Sequence, residues 1–187
     1  MKKLKMILML AAGMFVAVSC DDDDDDQDNV TSVSETDRTF AVNAADGGMF
    51  EVRAGEMAVA KGDSSAMGVM MGADSMSIKS FGQMMITDHT MANNELKSIS
   101  DPKKVDLPTT VSNAKQLKLD SLNAASGVAF NRLYAKMMVA SHQETIALFQ
   151  SESTGGQDNE LKTWATQKLP NLNQHLEMAQ MLNDEVK

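Results

Sequence analysis

Four side chains of this sequence have the chemistry of metal ligands, and each lies in the middle of an otherwise apolar helical stripe. They are Glu51, His89, His142 and His175. Imidazole nitrogens and carboxylate oxygens are ligands that zinc, copper and iron accept in proteins. One hypothesis is therefore that the four side chains converge and hold a single Zn, Cu or Fe ion as a cofactor.

The same residues allow two alternatives. An unpaired buried polar group costs about 1–3 kcal/mol, so buried imidazoles usually have hydrogen-bond partners. Glu51, Asp88, Tyr134 and Thr145 are available as such partners, and the cluster would then be a structural network. A third possibility is that the four residues do not meet. Asp88, which precedes His89 in the sequence, either orients that imidazole from behind a metal or is simply solvated.

The stripes that carry these residues have the period of α-helices. Apolar or small residues recur every three or four positions around His89, as expected for a helix that buries one face. They are Ile78, Phe81, Gly82, Met85, Ala92, Leu96 and Ile99. Aromatic residues make up only 4% of the chain. The core must therefore consist largely of Ala, Leu, Met and Val, which suits helices rather than sheets.

The pattern predicts an all-α fold with four long helices and one short one. The long helices are expected over about residues 36–61, 75–100, 128–151 and 160–184, and the short one over 112–125. With a rise of about 1.5 Å per residue, the four polar residues lie within roughly a turn and a half of one another along the bundle. The segment 101–127 is long enough to cross the bundle, so that the second and third long helices would run parallel. A simple up-down-up-down bundle gives almost the same heights and remains open.

The N-terminus is typical of a lipoprotein signal peptide. Three lysines precede an apolar run from Met6 to Val18, and small residues lead to Cys20, the single cysteine of the chain. Cys20 stands where bacterial lipoproteins carry their lipidated first residue. An ordinary signal peptide with an incidental cysteine is the alternative. We predict a signal peptide over 1–19, lipidation of Cys20, and a membrane partner reached through this lipid anchor.

An acidic segment follows the cysteine. The run from Asp21 to Asp26, continued by Asp28, cannot bury a core and must be solvated. We therefore predict a disordered tether over residues 20–35 and a folded domain over 36–187. Such a run also resembles the signal that exports lipoproteins to the surface of some two-membrane bacteria, so both the periplasmic face and the cell surface remain open. The net charge of −9 argues against a nucleic-acid partner.

Methionines form a second candidate site. Met67, Met70, Met71 and Met76 lie close together in a glycine-rich stretch, and thioether sulfur binds Cu(I). Methionine is also adaptable apolar filler. Other catalytic patterns are missing from the sequence: there is no glycine-rich phosphate loop and no Cys/His zinc motif. Ser141 next to His142 is not a catalytic pair, because adjacent residues of a helix do not face each other.

Four segments of the chain resemble a known family. They read DRTFAVNAADGGMFEVRAGEMA, FGQMMITDHTMANNEL, SGVAFNRLYAKMMVASHQETIALF and LKTWATQKLPNLNQHLEMAQML. Together, from Asp37 to Leu182, they are similar to the bacterial domain-of-unknown-function family 4142. The resemblance implies a ferritin-like antiparallel four-helix bundle, with a long crossover carrying a short helix between helices 2 and 3, in an exported or outer-membrane protein. It implies no reaction.

The chain departs from the ferritin-like metal enzymes at the metal-binding motif. Those enzymes place a Glu on each of two helices and Glu-x-x-His on the other two. Ile86 and Leu172 stand three residues before His89 and His175. A carboxylate-rich di-iron cage is therefore not expected.

Three functions remain, in the order in which the sequence favours them. The first is a non-enzymatic lipoprotein anchored in the cell envelope at the outer membrane. The second is a metal-binding or redox protein that uses the Glu/His cluster. The third is a copper-handling protein that uses the methionines.

Overall fold

The computed structural model describes residues 33–65, 70–71 and 74–187 of the chain. The described residues form five α-helices: α1 (Glu35–Lys61), α2 (Ile78–Ser100), α3 (Asn113–Ala124), α4 (Gly127–Gly155) and α5 (Asn159–Glu185). A 3-10 turn, Asp101–Lys103, follows α2. Two short antiparallel strands, β1 (Met70–Met71) and β2 (Asp74–Ser75), lie between α1 and α2. The all-α prediction is confirmed, and the predicted signal peptide and most of the predicted tether lie outside the described residues.

The helices begin at side chains that accept hydrogen bonds from their first free N–H groups. Ser34 accepts from the N–H of Asp37 at the start of α1, and Asp158 accepts from the N–H groups of Glu160 and Leu161 at the start of α5. Helix α2 begins with a reciprocal pair of bonds between Ser77 and Ser80. Such caps typically stabilise a helix by about 1 kcal/mol each.

Contacts along the helices give the direction of each one. Asp37, near the start of α1, accepts N–H bonds from Gln157 and Asp158, just beyond the end of α4. The N–H of Asp63, just beyond the end of α1, bonds the side chain of Asn131 near the start of α4. Helix α1 is therefore antiparallel to α4.

The same argument applies to the first two helices. A Cβ atom at Gly48 would meet Asn93, and one at Gly55, further along α1, would meet Gly82, near the start of α2. Helix α1 is therefore antiparallel to α2 as well. Because α2 and α4 then point the same way, the connection between them crosses the length of the bundle and carries α3. The crossover topology is confirmed, and the simple up-down alternative is wrong.

Two apolar clusters fill the bundle interior. One is built around Phe50, Phe81 and Tyr134, and the other around Phe40 and Trp164. On α2, Met85 belongs to the first cluster and Leu96 to the second, and His89 lies between them in the sequence. The polar residues therefore form a layer between two apolar regions. Among the described residues, no helix has the length and hydropathy needed to span a membrane.

Helices α1 and α2 lie close together at Gly55 and Gly82. A Cβ atom on Gly82 would lie 2.7 Å from the Cβ of Ala58 and 2.9 Å from the carbonyl oxygen of Gly55. Neither atom belongs to a flexible side chain that can rotate away. A methyl group at Gly82 would therefore push the two helices apart.

We expect Gly82→Ala to lower the free energy of unfolding by about 1–3 kcal/mol, the usual cost of overpacking a well-filled core. Urea denaturation measures it. Gly155→Ala is the matched control, because a Cβ there meets nothing within 4 Å, and it should leave stability unchanged or slightly higher. Equal losses at the two positions would show that the close approach is not the cause.

Candidate metal centre

The structure brings together the four polar residues that the sequence analysis singled out. Each long helix contributes one of them: α1 Glu51, α2 His89, α4 His142 and α5 His175. Their exposed fractions are 0%, 6%, 0% and 1%. Glu51 lies 3.1 Å from Nδ1 of His89 and 3.5 Å from Nδ1 of His142, and the three ring centroids are at most 5.6 Å apart, so the possibility that the residues do not meet is excluded.

The three imidazoles form a nearly equilateral triangle. Their ring centroids are 5.6 Å apart for His89 and His142, and 5.5 Å apart for each of the other two pairs. One ring nitrogen from each histidine lies within 4.8 Å of the other two. A tetrahedral ion with bonds of about 2.0–2.1 Å would hold its nitrogen ligands roughly 3.3 Å apart. Small movements of the rings would therefore bring all three nitrogens to bonding distance of one ion.

The main chain sets the tautomer of His142. Its Nδ1 atom lies 2.9 Å from the carbonyl oxygen of Met138. A carbonyl can only accept, so Nδ1 carries the hydrogen and donates it. In the neutral ring the lone pair is then on Nε2, which is buried and has no hydrogen-bond partner.

A carboxylate does the same for His175. Its Nε2 atom lies 2.9 Å from Oδ2 of Asp88, and an ionised carboxylate only accepts. The lone pair of the neutral ring is therefore on Nδ1, which is also buried and unpartnered. Asp88 was expected to be either a partner of its neighbour His89 or solvated. Its side chain is partly exposed, and its bonded partner is His175 rather than His89. Consecutive helix residues point in different directions, so the carboxylate of Asp88 reaches across to α5.

Glu51 contacts the other two rings from one side. Its Oε2 atom is 3.1 Å from Nδ1 of His89, at an angle too oblique for a hydrogen bond, and its Oε1 atom is 3.5 Å from Nδ1 of His142. Oε1 also accepts a hydrogen bond of 2.8 Å from the hydroxyl of Ser141. The Nε2 atom of His89 is buried without a partner. The carboxylate therefore lies at the Nδ1 atoms of both rings, and the compact set of candidate ligands consists of the histidines alone.

Burial and the neighbouring charges determine the ionisation of the cluster. Burial lowers the pKa of His89, although the carboxylate of Glu51 opposes this. Burial also lowers the pKa of His175, to about 4, helped by the other two histidines and opposed by Asp88. For Glu51 burial raises the pKa, but the charges that His89 and His142 can carry, together with the Ser141 bond, outweigh it and lower the pKa. Near neutral pH we therefore expect His89 and His175 to be neutral.

The hydrogen bonds within the cluster leave one ring nitrogen of each histidine without a partner. With these tautomers, the free nitrogens of the neutral His142 and His175 rings are both acceptors, so they cannot bond each other. The hydroxyl of Tyr134, one of the donors expected from the sequence, makes no hydrogen bond. Ser141 bonds Glu51, a contact that the sequence analysis missed because the two residues are far apart in the chain. The hydrogen-bonded network predicted as an alternative is thus incomplete at the nitrogen atoms that face inward.

Comparison with known proteins identifies the family. A family model described as "Domain of unknown function (DUF4142)" matches residues 23–182. The chain belongs to this family. No curated protein and no solved structure matches the chain. The resemblance stated from the sequence is confirmed, and any function of this DUF4142 protein has to be inferred from its histidine site.

The two other sites expected in this DUF4142 chain are only partly described. Cys20 and Met67 lie outside the described residues, as do the side chains of Met70 and Met71. Met76 is 5% exposed and packs in the apolar core. Met76 is therefore apolar filler in the core and not a Cu(I) ligand on the surface.

Proposed function

We propose that this DUF4142 protein binds one transition-metal ion through His89, His142 and His175. The proposal rests on three buried ring nitrogens, one per histidine, that have no hydrogen-bond partner. Each of those histidines comes from a different helix of the bundle. An unpaired buried polar atom is costly, and three of them on rings this close together are explained by an ion that accepts all three lone pairs.

The surroundings of the rings support this proposal. Metal-binding histidines usually donate their second N–H to a carboxylate or a backbone carbonyl, which fixes the tautomer and the ring orientation. The carbonyl of Met138 has this role for His142, and Asp88 has it for His175. Glu51 faces Nδ1 of His89. We therefore assign Glu51 and Asp88 to positioning the rings and the three histidines to holding the ion.

Charge supports the same assignment. The ion pairs of Glu51 among the described residues are with His89 and His142 only. With His89 neutral, the buried carboxylate of Glu51 loses counter-charge, which is strongly unfavourable. A divalent cation beside Glu51 and Asp88 would neutralise both.

The donor set narrows the choice of ion. Three imidazoles suit Zn, Cu or Fe, and a three-histidine zinc site usually keeps its fourth position for water or a substrate. A di-iron pair is not supported, because the Glu-x-x-His motifs are missing. The copper alternative at the methionines depends on side chains that lie outside the described residues, so we place the metal at the histidines.

Metal analysis of the protein purified without a histidine tag tests the proposal. We expect close to one Zn, Cu or Fe ion per chain, either as purified or after incubation with each ion followed by dialysis. Each bound ion should also raise the melting temperature, because it binds only the folded state. Protein that retains none of the three ions would contradict the proposal.

We propose further that the domain is held in the cell envelope, at the outer membrane, by a lipid on Cys20. The signal-peptide pattern before Cys20 and the acidic run after it support this location. We assign this tethered bundle a non-enzymatic role, because binding a metal requires no catalytic residue.

A fatty-acid analogue fed to growing cells should label the wild-type protein, because lipidation attaches acyl chains at this cysteine. Cys20→Ala should remove the label and release the protein from membranes. Ser19→Ala is the control, since it keeps both a small residue before the cleavage site and the cysteine. Labelling of Cys20→Ala at the wild-type level would refute the anchor.

A further inference from the structure

A pocket of about 40 Å³ leads from the protein surface to the histidines. Its inner end is formed by Glu51, His89 and His175, which are buried. Its outer end includes Met91, which is 52% exposed, and Lys168. The pocket therefore connects solvent with the place where we propose the metal.

The pocket reaches the cluster from one side only. His89 and His175 line it, whereas His142 does not. An ion held by three histidines keeps at least one position for a further ligand. A ligand that enters through the pocket would meet the ion at that position, next to His89 and His175.

The volume limits the size of such a ligand. A water molecule needs about 10–15 Å³ of cavity, so the pocket has room for about three water-sized groups. A cavity that binds an aromatic ring is roughly 150 Å³. Molecules of two or three heavy atoms fit, and ring compounds do not.

The walls limit its charge. They are largely apolar, with Ala92, Phe149, Trp164 and Leu172 among them. Lys168 lies at the mouth of the pocket but is not available to an incoming anion, because its ammonium group is paired with the carboxylate of Glu95.

The carboxylates of Glu51 and Asp88 also line the pocket. An incoming anion would lose its hydration against apolar walls and meet these negative groups without gaining a free cationic side chain among the described lining residues. A small neutral molecule has little hydration to lose and is not repelled by the two carboxylates.

We infer that the open position of the metal takes a neutral diatomic ligand, of the class of dioxygen and nitric oxide. This inference rests on the proposed metal site and goes one step further, to the kind of molecule that the ion meets. The pocket selects it by size, through its volume, and by charge, through its apolar walls and the two carboxylates.

Cobalt-loaded protein and nitric oxide provide the test. Co²⁺ accepts nitrogen ligands and has an electron paramagnetic resonance signal that disappears when nitric oxide binds. Cobalt content is measured first. We expect nitric oxide to remove the signal with one equivalent per cobalt, and azide and imidazole to bind at least 100-fold more weakly.

Ala92→Phe should fill the pocket. We expect it to retain cobalt and to weaken nitric oxide binding at least tenfold, and Ala92→Leu is a second variant of smaller volume with the same expected direction. Ala147→Phe, at an exposed position of α4, is the matched control and should bind nitric oxide like the wild type.

The outcomes separate the two proposals. If no ion binds, the proposed function fails and this inference fails with it. If cobalt binds but nitric oxide leaves its signal unchanged, or if azide or imidazole binds as tightly as nitric oxide, the metal site stands and the diatomic ligand is refuted. Unchanged nitric oxide binding in both Ala92 variants would refute the pocket as the route.

Discussion

His142→Gln should weaken metal binding at least 100-fold. His142 is fully buried, its Nδ1–H is fixed on the Met138 carbonyl, and its Nε2 is one of the three unpartnered nitrogens. Without His142 the ion would keep only two imidazole ligands, which bind it more weakly than three. Chelator competition measures the affinity. An ion present at 100 times its dissociation constant raises the free energy of unfolding by about 2.7 kcal/mol in the wild type, and this increase should disappear in the variant.

Glu152→Gln is the matched control for this experiment. Glu152 lies on the same helix and is only 2% exposed, but it belongs to the end of the bundle near Asp37. Burial and the Asp37 charge raise the pKa of Glu152 to about 7, so a neutral amide is a mild replacement there. The control should bind metal like the wild type. If His142→Gln binds as tightly as Glu152→Gln, the ligand assignment is wrong.

With Glu152 replaced by Gln, the metal-free protein should lose stability as the pH falls from about 6.5 to 4. The folded state holds the pKa of His175 at about 4, mainly because the ring is buried, whereas an unfolded histidine has a pKa of about 6.5. Below pH 6.5 the unfolded chain therefore gains a proton that the folded protein does not take up until about pH 4. The stability is fully present above pH 6.5, and about 3 kcal/mol is lost by pH 4 from His175 alone.

Burial also lowers the pKa of His89, which adds to the loss in the same direction. The lowered pKa of Glu51 contributes only below about pH 4.5, where an unfolded carboxylate begins to be protonated. Glu152 would oppose this loss, because the folded state raises its pKa to about 7 and so gains a proton before the unfolded chain does. Every protein in this experiment therefore carries Glu152→Gln. Urea denaturation in the presence of a chelator, at several pH values between 7.5 and 4, then measures the sum. A free energy of unfolding that stays level or rises over this range would contradict the prediction.

His175→Gln is the control for the pH experiment, because an amide does not titrate. Its free energy of unfolding should depend less steeply on pH than that of the wild type, whatever its absolute stability. The metal-loaded wild type should show the steepest dependence, since metal binding requires neutral imidazoles and protons compete for the same nitrogens.

The sequence by itself predicted the helices and the positions of the candidate site residues within them. An apolar stripe with a period of three to four residues has to face a core, and His89 lies in such a stripe with Phe81 and Met85 on the same face. A polar residue in that stripe is carried inward whatever the topology. The rise per residue then gives its height, so the meeting of Glu51 with the histidines could be expected before any coordinates.

The topology itself needed the tertiary structure. A crossover bundle and an up-down bundle place Glu51 and His142 at nearly the same height, so heights cannot distinguish them. The hydrogen bonds that Asp37 accepts from the N–H groups of Gln157 and Asp158 distinguish the two topologies, because they join the start of α1 to the residues just after α4. The close approach of Gly55 and Gly82 was also beyond the sequence, since it depends on how two helices are rotated against each other.

The contacts of the candidate site residues were likewise visible only in three dimensions. Sequence neighbours suggested that Asp88 serves His89, yet Asp88 bonds His175, because helix geometry turns adjacent side chains about 100° apart. Residue types suggested Glu51 as a ligand, but the carboxylate lies at the Nδ1 atoms of His89 and His142. Which ring nitrogen is free depends on the partner of the other nitrogen. That partner is set by packing between helices distant in the chain, which no local pattern records.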